Sequence, residues 1–160
     1  MKEIQLTGDH VTFVDDEDYV WLSQWKWYAG QKRNRREAVR NEKDTDGHRY
    51  IVYMSREILG LKKGDTRRCD HKNHNPLDNR RANLRDCTHS ENNRNTSSRE
   101  YTSSKFLGVS WDKVNKKWRA SISINGKPRN LGRFVFEELA ALAHDFAAMT
   151  YYREFAHFNF

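Results

Sequence analysis

The sequence predicts an α+β protein built from small antiparallel sheets and short helices. Three observations lead there. Short runs of β-branched and aromatic residues are separated by Gly-Asp and Asn-Gly turn signals. One long Ala-rich run, Glu137 to Tyr151, carries apolar residues at helical spacing. Between them lies DHKNHNPLDNRRANL, Asp70 to Leu84, which has almost nothing to bury. A chain of 160 residues holds one or two compact domains, and its 12% aromatic content supplies large side chains for a core.

Ile4 to Thr7 and Val11 to Val14 flank Gly8-Asp9 and read as a hairpin. Asp15 to Asp18 offer N-caps for a short helix carrying Tyr19, Val20, Leu22 and Trp25. Trp27, Ala38-Val39 and Arg49 to Tyr53 suggest further strands, with a mobile basic loop at Gln31 to Arg36. Ser55 is placed to cap one helical turn, Arg56 to Leu59, which Gly60 ends. Residues 1–65 form an N-terminal α+β unit on this reading.

Residues 66–95 form the next segment. Arg67 to His71 reads as a strand, Asn73 to Asn79 as an irregular loop in which Pro76 forbids pairing, and Leu84 to Cys87 as the returning strand. Thr88 or Ser90 then caps a helix carrying Asn92. Residues 96–104, polar and poor in apolar side chains, read as a linker.

Residues 105–160 suggest a sheet and a helix. Phe106 to Trp111, Trp118 to Ile124 and Asn130 to Phe134 are three strands, the last two joined by Asn125-Gly126. Glu137 to Tyr151 is the helix, with Leu139, Ala140, Ala143, Ala147 and Ala148 on a flat apolar face. From Lys113 to Arg133 there are seven Lys or Arg and no acid, whereas Phe134 to Phe160 has four acids and one Arg. A sheet that buries one face on an acidic helix presents the basic face to a partner, and a phosphate backbone suits it.

Net charge is +7, and the first thirty residues are acidic, so the basic character begins after them. Double-stranded DNA is the leading partner for such a surface. Two cysteines, Cys69 and Cys87, are too few for a disulfide framework, and no N-terminal stretch resembles a signal peptide. No apolar run is long enough to cross a bilayer, which makes a cytoplasmic compartment the expectation.

The polar stretch contains what phosphodiester hydrolysis needs: a base for water and oxygen donors for a cation that stabilises developing charge. His71 suits the first role because imidazole titrates near neutrality. The order Asp70-His71, then Asn83, then Asn92 resembles the HNH endonucleases, in the Asp-His…Asn…Asn form of phage, bacterial and intron homing enzymes. The resemblance implies a ββα-metal centre in which His71 is the general base, Asp70 and Asn92 hold one divalent cation, and Asn83 fastens the loop. Relatives often carry His where Asn92 stands and Gly where His74 stands. Oxygen donors favour Mg²⁺, with Mn²⁺ as the alternative. Arg80, Arg81 and Arg85 are candidates to hold the DNA backbone. A rival use of the same region, a structural zinc on Cys69, His71, Cys87 and His89, has too short a spacing within each pair.

Residues 105–160 also carry a resemblance, in Gly108-Val109, Trp118-Arg119-Ala120, Ile122, Leu131-Gly132, Phe134, Glu138, Ala140, Ala147-Ala148, Phe155-Ala156 and Asn159. They are similar to the APETALA/ethylene-response-factor DNA-binding domain, whose three-stranded sheet enters the major groove. Carried over by position, the base-facing side includes Ser110, Trp111, Arg119, Ser121, Ser123, Arg129 and Asn130. Lys105, Lys113, Lys116, Lys117 and Lys127 are expected to meet phosphates. Trp118 is expected in the core. The whole reads as a homing-type, metal-dependent DNA endonuclease of a mobile element; the alternative is a sequence-specific DNA-binding regulator with an inactive nuclease region. Oligomeric state is open, with a monomer favoured.

Overall fold

In a computed structural model, residues 1–32, 35–94 and 103–160 are described, apart from the Lys32 side chain. The fold is α+β. It divides into two units, Met1–Thr88 and His89–Phe160. Most of the expected linker, 96–104, lies outside the described residues.

In the first unit, β1 (Lys2–Leu6) and β2 (His10–Val14) pair across Gly8-Asp9, where both residues take positive φ, 87° and 58°. Helix α1 (Asp16–Leu22) starts after Asp15, but that carboxylate does not cap it. Its Oδ2 accepts the Arg81 backbone N–H at 2.7 Å instead. Leu22 is buried, whereas Val20 is exposed.

Strands β3 (Tyr28–Lys32), β4 (Arg35–Lys43) and β5 (Arg49–Tyr53) form an antiparallel sheet in that order. Of the expected mobile loop at 31–36, the described residues are strand: Gln31 pairs with Arg36 and Lys32 with Arg35. Helix α2 (Met54–Ile58) starts from Tyr53, two residues earlier than Ser55 capping requires; Ser55 lies inside it, buried.

Strands β6 (Arg68–His71) and β7 (Leu84–Cys87) form the last sheet of this unit. Leu84 belongs to the same core as Ile4, Leu6, Val14, Leu22, Trp27, Ala38, Met54 and Ile58, with Cys69 and Leu77 packed against it. The expected boundary between 65 and 66 is therefore no boundary. A strand pair of four residues each cannot bury enough surface alone, and it borrows the core of the N-terminal elements.

The second unit contains α3 (His89–Arg94), β8 (Val109–Asp112), β9 (Lys117–Ile124), β10 (Lys127–Phe134) and α4 (Glu137–Tyr152). Strand β9 is central in the order β10-β9-β8. The Asn125-Gly126 turn has positive φ at both residues, 51° and 75°, as a two-residue hairpin requires. Helix α4 lies on the sheet through Ala140, Ala141, His144, Ala147, Ala148 and Tyr152. Leu139, expected on that face, is exposed and Ala141 replaces it, because small side chains permit the closest approach. Gly108, at φ 74°, sits where a Cβ would strike the His144 ring and approach Ser121 O to 2.7 Å.

Among the described residues no helix is long and apolar enough to cross a membrane.

Candidate functional site

In the first unit the polar stretch is stitched to β2. Phe13 N–H donates to Leu77 O at 2.8 Å, and Asn79 N–H donates to Phe13 O at 2.8 Å. This attachment brings Thr12, fully buried on β2, against Asn79, 1% exposed in the loop. The Asn79 amide nitrogen donates to Thr12 Oγ1 at 2.8 Å, and Thr12 Oγ1 donates to Leu77 O at 2.8 Å.

Donor counting fixes the rest. A hydroxyl has one proton, and a carbonyl only accepts, so Thr12 spends its proton on Leu77 and accepts from Asn79. The Asn79 amide is thereby oriented with Oδ1 toward His71, whose Nε2 lies 3.1 Å away. His71 Nε2 must carry the proton, which makes Nδ1 the unprotonated nitrogen of the ring. Burial pushes the His71 pKa below 6.5 despite the Asn79 contact, so the neutral imidazole prevails at pH 7.

Asn83 fastens the loop around this ring. Its Oδ1 accepts the Asn73 N–H at 3.0 Å, its amide nitrogen donates to Asp78 O at 2.7 Å, and its own carbonyl accepts Lys72 N–H at 2.9 Å. Asn73 in turn donates its side-chain amide to Asp78 Oδ2 at 2.8 Å. His74 bridges the turn at φ 62°, a left-handed conformation that a Gly would take without strain.

Asp70 is buried beside His71 in sequence, and adjacent strand residues point to opposite sides. Its Oδ2 accepts two bonds from the Arg85 guanidinium on β7, Nη2 at 2.6 Å and Nε at 2.8 Å. Residues 70 and 85 are cross-strand partners, which sets this pair. The carboxylate is the oxygen donor that Mg²⁺ prefers, but a cation there has to share it with Arg85 or displace it.

The other two candidate arginines are likewise engaged with carboxylates of their own unit. Arg80 grips Asp78 through Nε and Nη2, both at 2.7 Å. Arg81 grips the buried Asp18 of α1 at 2.8 and 2.7 Å. The Arg81 pair ties the loop to α1, and the Arg80 pair braces the loop internally. Asn92, the other expected metal ligand, is on α3 of the second unit.

Burial pushes the Cys69 thiol up to about 12, so without a metal it is held as a thiol at neutral pH. Among the described residues, one trio of His, Cys and acidic side chains has its ligand atoms close together: Asp44, Asp46 and His48. It lies after β4 and is organised by its own turn, since Asp44 Oδ1 accepts from Asp46 N and His48 N at 3.1 and 2.9 Å, while Oδ2 accepts from Lys63.

In the second unit, the sheet register sorts the expected DNA-facing residues. Val109, Trp118, Ala120, Ile122 and Ile124 face α4 and its cores. Opposed residues share a face, so Ser110, Lys117, Arg119, Ser121, Ser123 and Asn130 lie together on the free face. Trp111 does not join them. It opposes Trp118 and packs on it edge to face, with ring centroids 5.0 Å apart, on the helix side. Arg129 opposes Ile122 and is also on the helix side, at the exposed edge strand. Lys113 and Lys116 occupy the β8–β9 turn, Lys127 opens β10, and Lys105 precedes β8; all are exposed.

One basic residue of the free face was not expected. A bulge between Asn130 and Gly132 shifts the pairing, so Arg133 opposes Arg119. Strict alternation from the turn would put Arg133 on the other side, and the bulge reverses that. Its guanidinium meets Asp112 Oδ2 at 2.7 Å, and this pairing holds the Asp112 carboxyl well below the usual range.

No family model matches the chain, and a search of curated proteins finds no match. The two chemistries available here therefore rest on geometry: a neutral, tautomerically fixed imidazole near a buried carboxylate in one unit, and a basic, hydroxyl-rich sheet face in the other.

The sequence pointed to Asp70, His71 and Asn83 but missed Asn79 and Thr12. Asn79 carries no local mark among four Asn of the stretch, and Thr12 looks like an ordinary strand residue. The only sequence signal for Thr12 is a hydroxyl at a position where the buried alternation of β2 asks for an apolar side chain.

Proposed function

We propose that this protein is a metal-dependent DNA endonuclease in which His71 is the general base. The observation that carries the reading is the chain Thr12, Asn79, His71: it directs a proton to Nε2, keeps Nδ1 basic, and does so on a ring that burial holds neutral. A base must present an unprotonated nitrogen to water, and this arrangement meets that need. Nδ1 takes the proton as the water oxygen attacks phosphorus. A divalent cation, when bound, stabilises charge on the phosphate and on the leaving 3′ oxygen. Asp70 is the residue of the first unit that would hold it, and Asn92 is the second ligand implied by the HNH resemblance. Target selection falls to the second unit, where Lys117, Arg119, Ser121, Ser123 and Asn130 form a face suited to a DNA groove and Lys113, Lys116 and Lys127 suit the phosphates.

A second reading has its own observation. Arg85 already neutralises Asp70, as expected if the region has become scaffold and the protein is a DNA-binding regulator. Supercoiled plasmid separates the two. The endonuclease reading expects nicking that requires Mg²⁺ or Mn²⁺ and disappears in His71→Ala while DNA affinity is retained. Retained nicking in His71→Ala refutes the base assignment; binding without metal-dependent nicking by the unaltered chain supports the regulator.

A further inference from the structure

Helix α4 has a second apolar face, opposite the one on the sheet. Leu139, Leu142, Phe146 and Met149 are 47, 42, 68 and 56% exposed, and Val135 and Phe136, 67 and 63% exposed, lead into them. Taking ~200 Å² for full exposure of a large side chain, the four on α4 present roughly 430 Å², and Val135 and Phe136 just before the helix add roughly 260 Å², a total near the ~800 Å² a side of a stable interface.

The spacing identifies the occupant. Residues 139, 142, 146 and 149 are separated by three, four and three positions, the a and d pattern of two helices packed at a small crossing angle. The backbone cost of forming such a helix is already met by the sheet on the other side, so about three turns of seam can suffice where an isolated helix of this length would be marginal.

Charge then selects the orientation. In the corresponding g positions stand Glu138 and Asp145, and in the e positions Ala143 and Thr150. An antiparallel pair sets g against g and brings Glu138 beside Asp145 of the other copy, a carboxylate that accepts from Asn159 and the Phe160 N–H, neutral donors that leave its charge in place. A parallel pair sets g against e and opposes no like charges.

We infer that α4 pairs with α4 of a second copy of this chain, in parallel, through Leu139, Leu142, Phe146 and Met149. This goes beyond the proposed endonuclease activity and does not depend on it. Because each helix covers the inner face of its own sheet, the free faces of the two sheets point away from each other in the pair. Such a dimer presents two separate basic faces, not one composite surface.

Sedimentation equilibrium of the full chain tests this without reference to DNA cleavage. The unaltered chain is expected at twice the monomer mass, and the double variant Leu142→Glu, Phe146→Glu at the monomer mass with an unchanged circular dichroism spectrum. A monomeric unaltered chain, or a folded double variant that stays dimeric, overturns the inference. If the double variant fails to fold, Met149→Cys decides. A parallel pair places the two introduced thiols side by side, whereas an antiparallel pair centred on the stripe separates them by about 15 Å at 1.5 Å rise per residue. Oxidation is expected to give a reducible dimer from Met149→Cys and not from the unaltered chain; absence of that cross-link overturns the parallel pairing.

Discussion

Replacing Thr12 by Val tests the polar chain behind His71 with a near-isosteric change. Val fills the buried site on β2 but can neither accept from Asn79 nor donate to Leu77 O. Leu77 O keeps the Phe13 N–H at 2.8 Å, so the loss there is small. The Asn79 amide nitrogen, in contrast, is left against a methyl group in the interior. An unsatisfied buried donor costs about 1–3 kcal/mol, so roughly 2 kcal/mol of stability should go. For a unit of this size that lowers the melting temperature by roughly 8–16 °C. The amide can instead turn over, giving His71 a donor where it had an acceptor and forcing Nε2 to lose its proton. Either way the preference for one tautomer weakens by about the worth of a hydrogen bond, ~1 kcal/mol, or roughly fivefold in the tautomer ratio. Nitrogen chemical shifts of the His71 ring read this directly: the unaltered chain should show an Nε2–H imidazole and Thr12→Val a mixture. An unaltered chain with its proton on Nδ1 refutes the donor counting. A Thr12→Val chain of unchanged stability refutes the claim that the chain of bonds is closed.

Asn83→Ala removes two loop bonds, to Asn73 N and from its own amide to Asp78 O, and should cost about 2–3 kcal/mol, with faster hydrogen exchange at the Asn73 amide as the local readout. His71 has its pKa lowered in the folded state from 6.5, so the unfolded chain binds the extra proton first. Stability is therefore full above 6.5, falls as pH drops from 6.5 through the folded pKa, and levels off below it. Denaturant midpoints across that range should show the fall, His71→Ala should lose that part of it, and the acid limb of any cleavage activity should lie below 6.5 as well. Gly108→Ala forces a Cβ into the His144 ring at a positive φ of 74° and should cost several kcal/mol, seen as a lower unfolding midpoint of the second unit.

Much of the local structure is legible without coordinates, because its causes are local. Gly8-Asp9 and Asn125-Gly126 supply positive φ and make their hairpins wherever they stand. The alternation Lys117 to Ile124 assigns two faces to β9 by the pleat alone. Asp70-His71 and Asn83 announce themselves through their chemistry and spacing. The same reading fails where the cause is distant. The Asn130/Gly132 bulge changes which side Arg133 takes, and nothing beside Gly132 signals it. Trp111 goes to the helix side because its cross-strand partner is Trp118, a matter of register.

The sequence by itself determined the glycine turns, the two faces of β9, the long helix and the residues with chemistry to offer, since these follow from backbone sterics, side-chain period and functional groups. Tertiary structure alone decided what those groups face. Asn79 meets Thr12 across 67 residues of chain, and that meeting fixes the His71 tautomer. Arg81 reaches Asp18 across 63, and the strand pairing of Asp70 with Arg85 sets a guanidinium where a cation is wanted. A proton's position and a carboxylate's partner depend on three-dimensional proximity, which residue order does not encode locally.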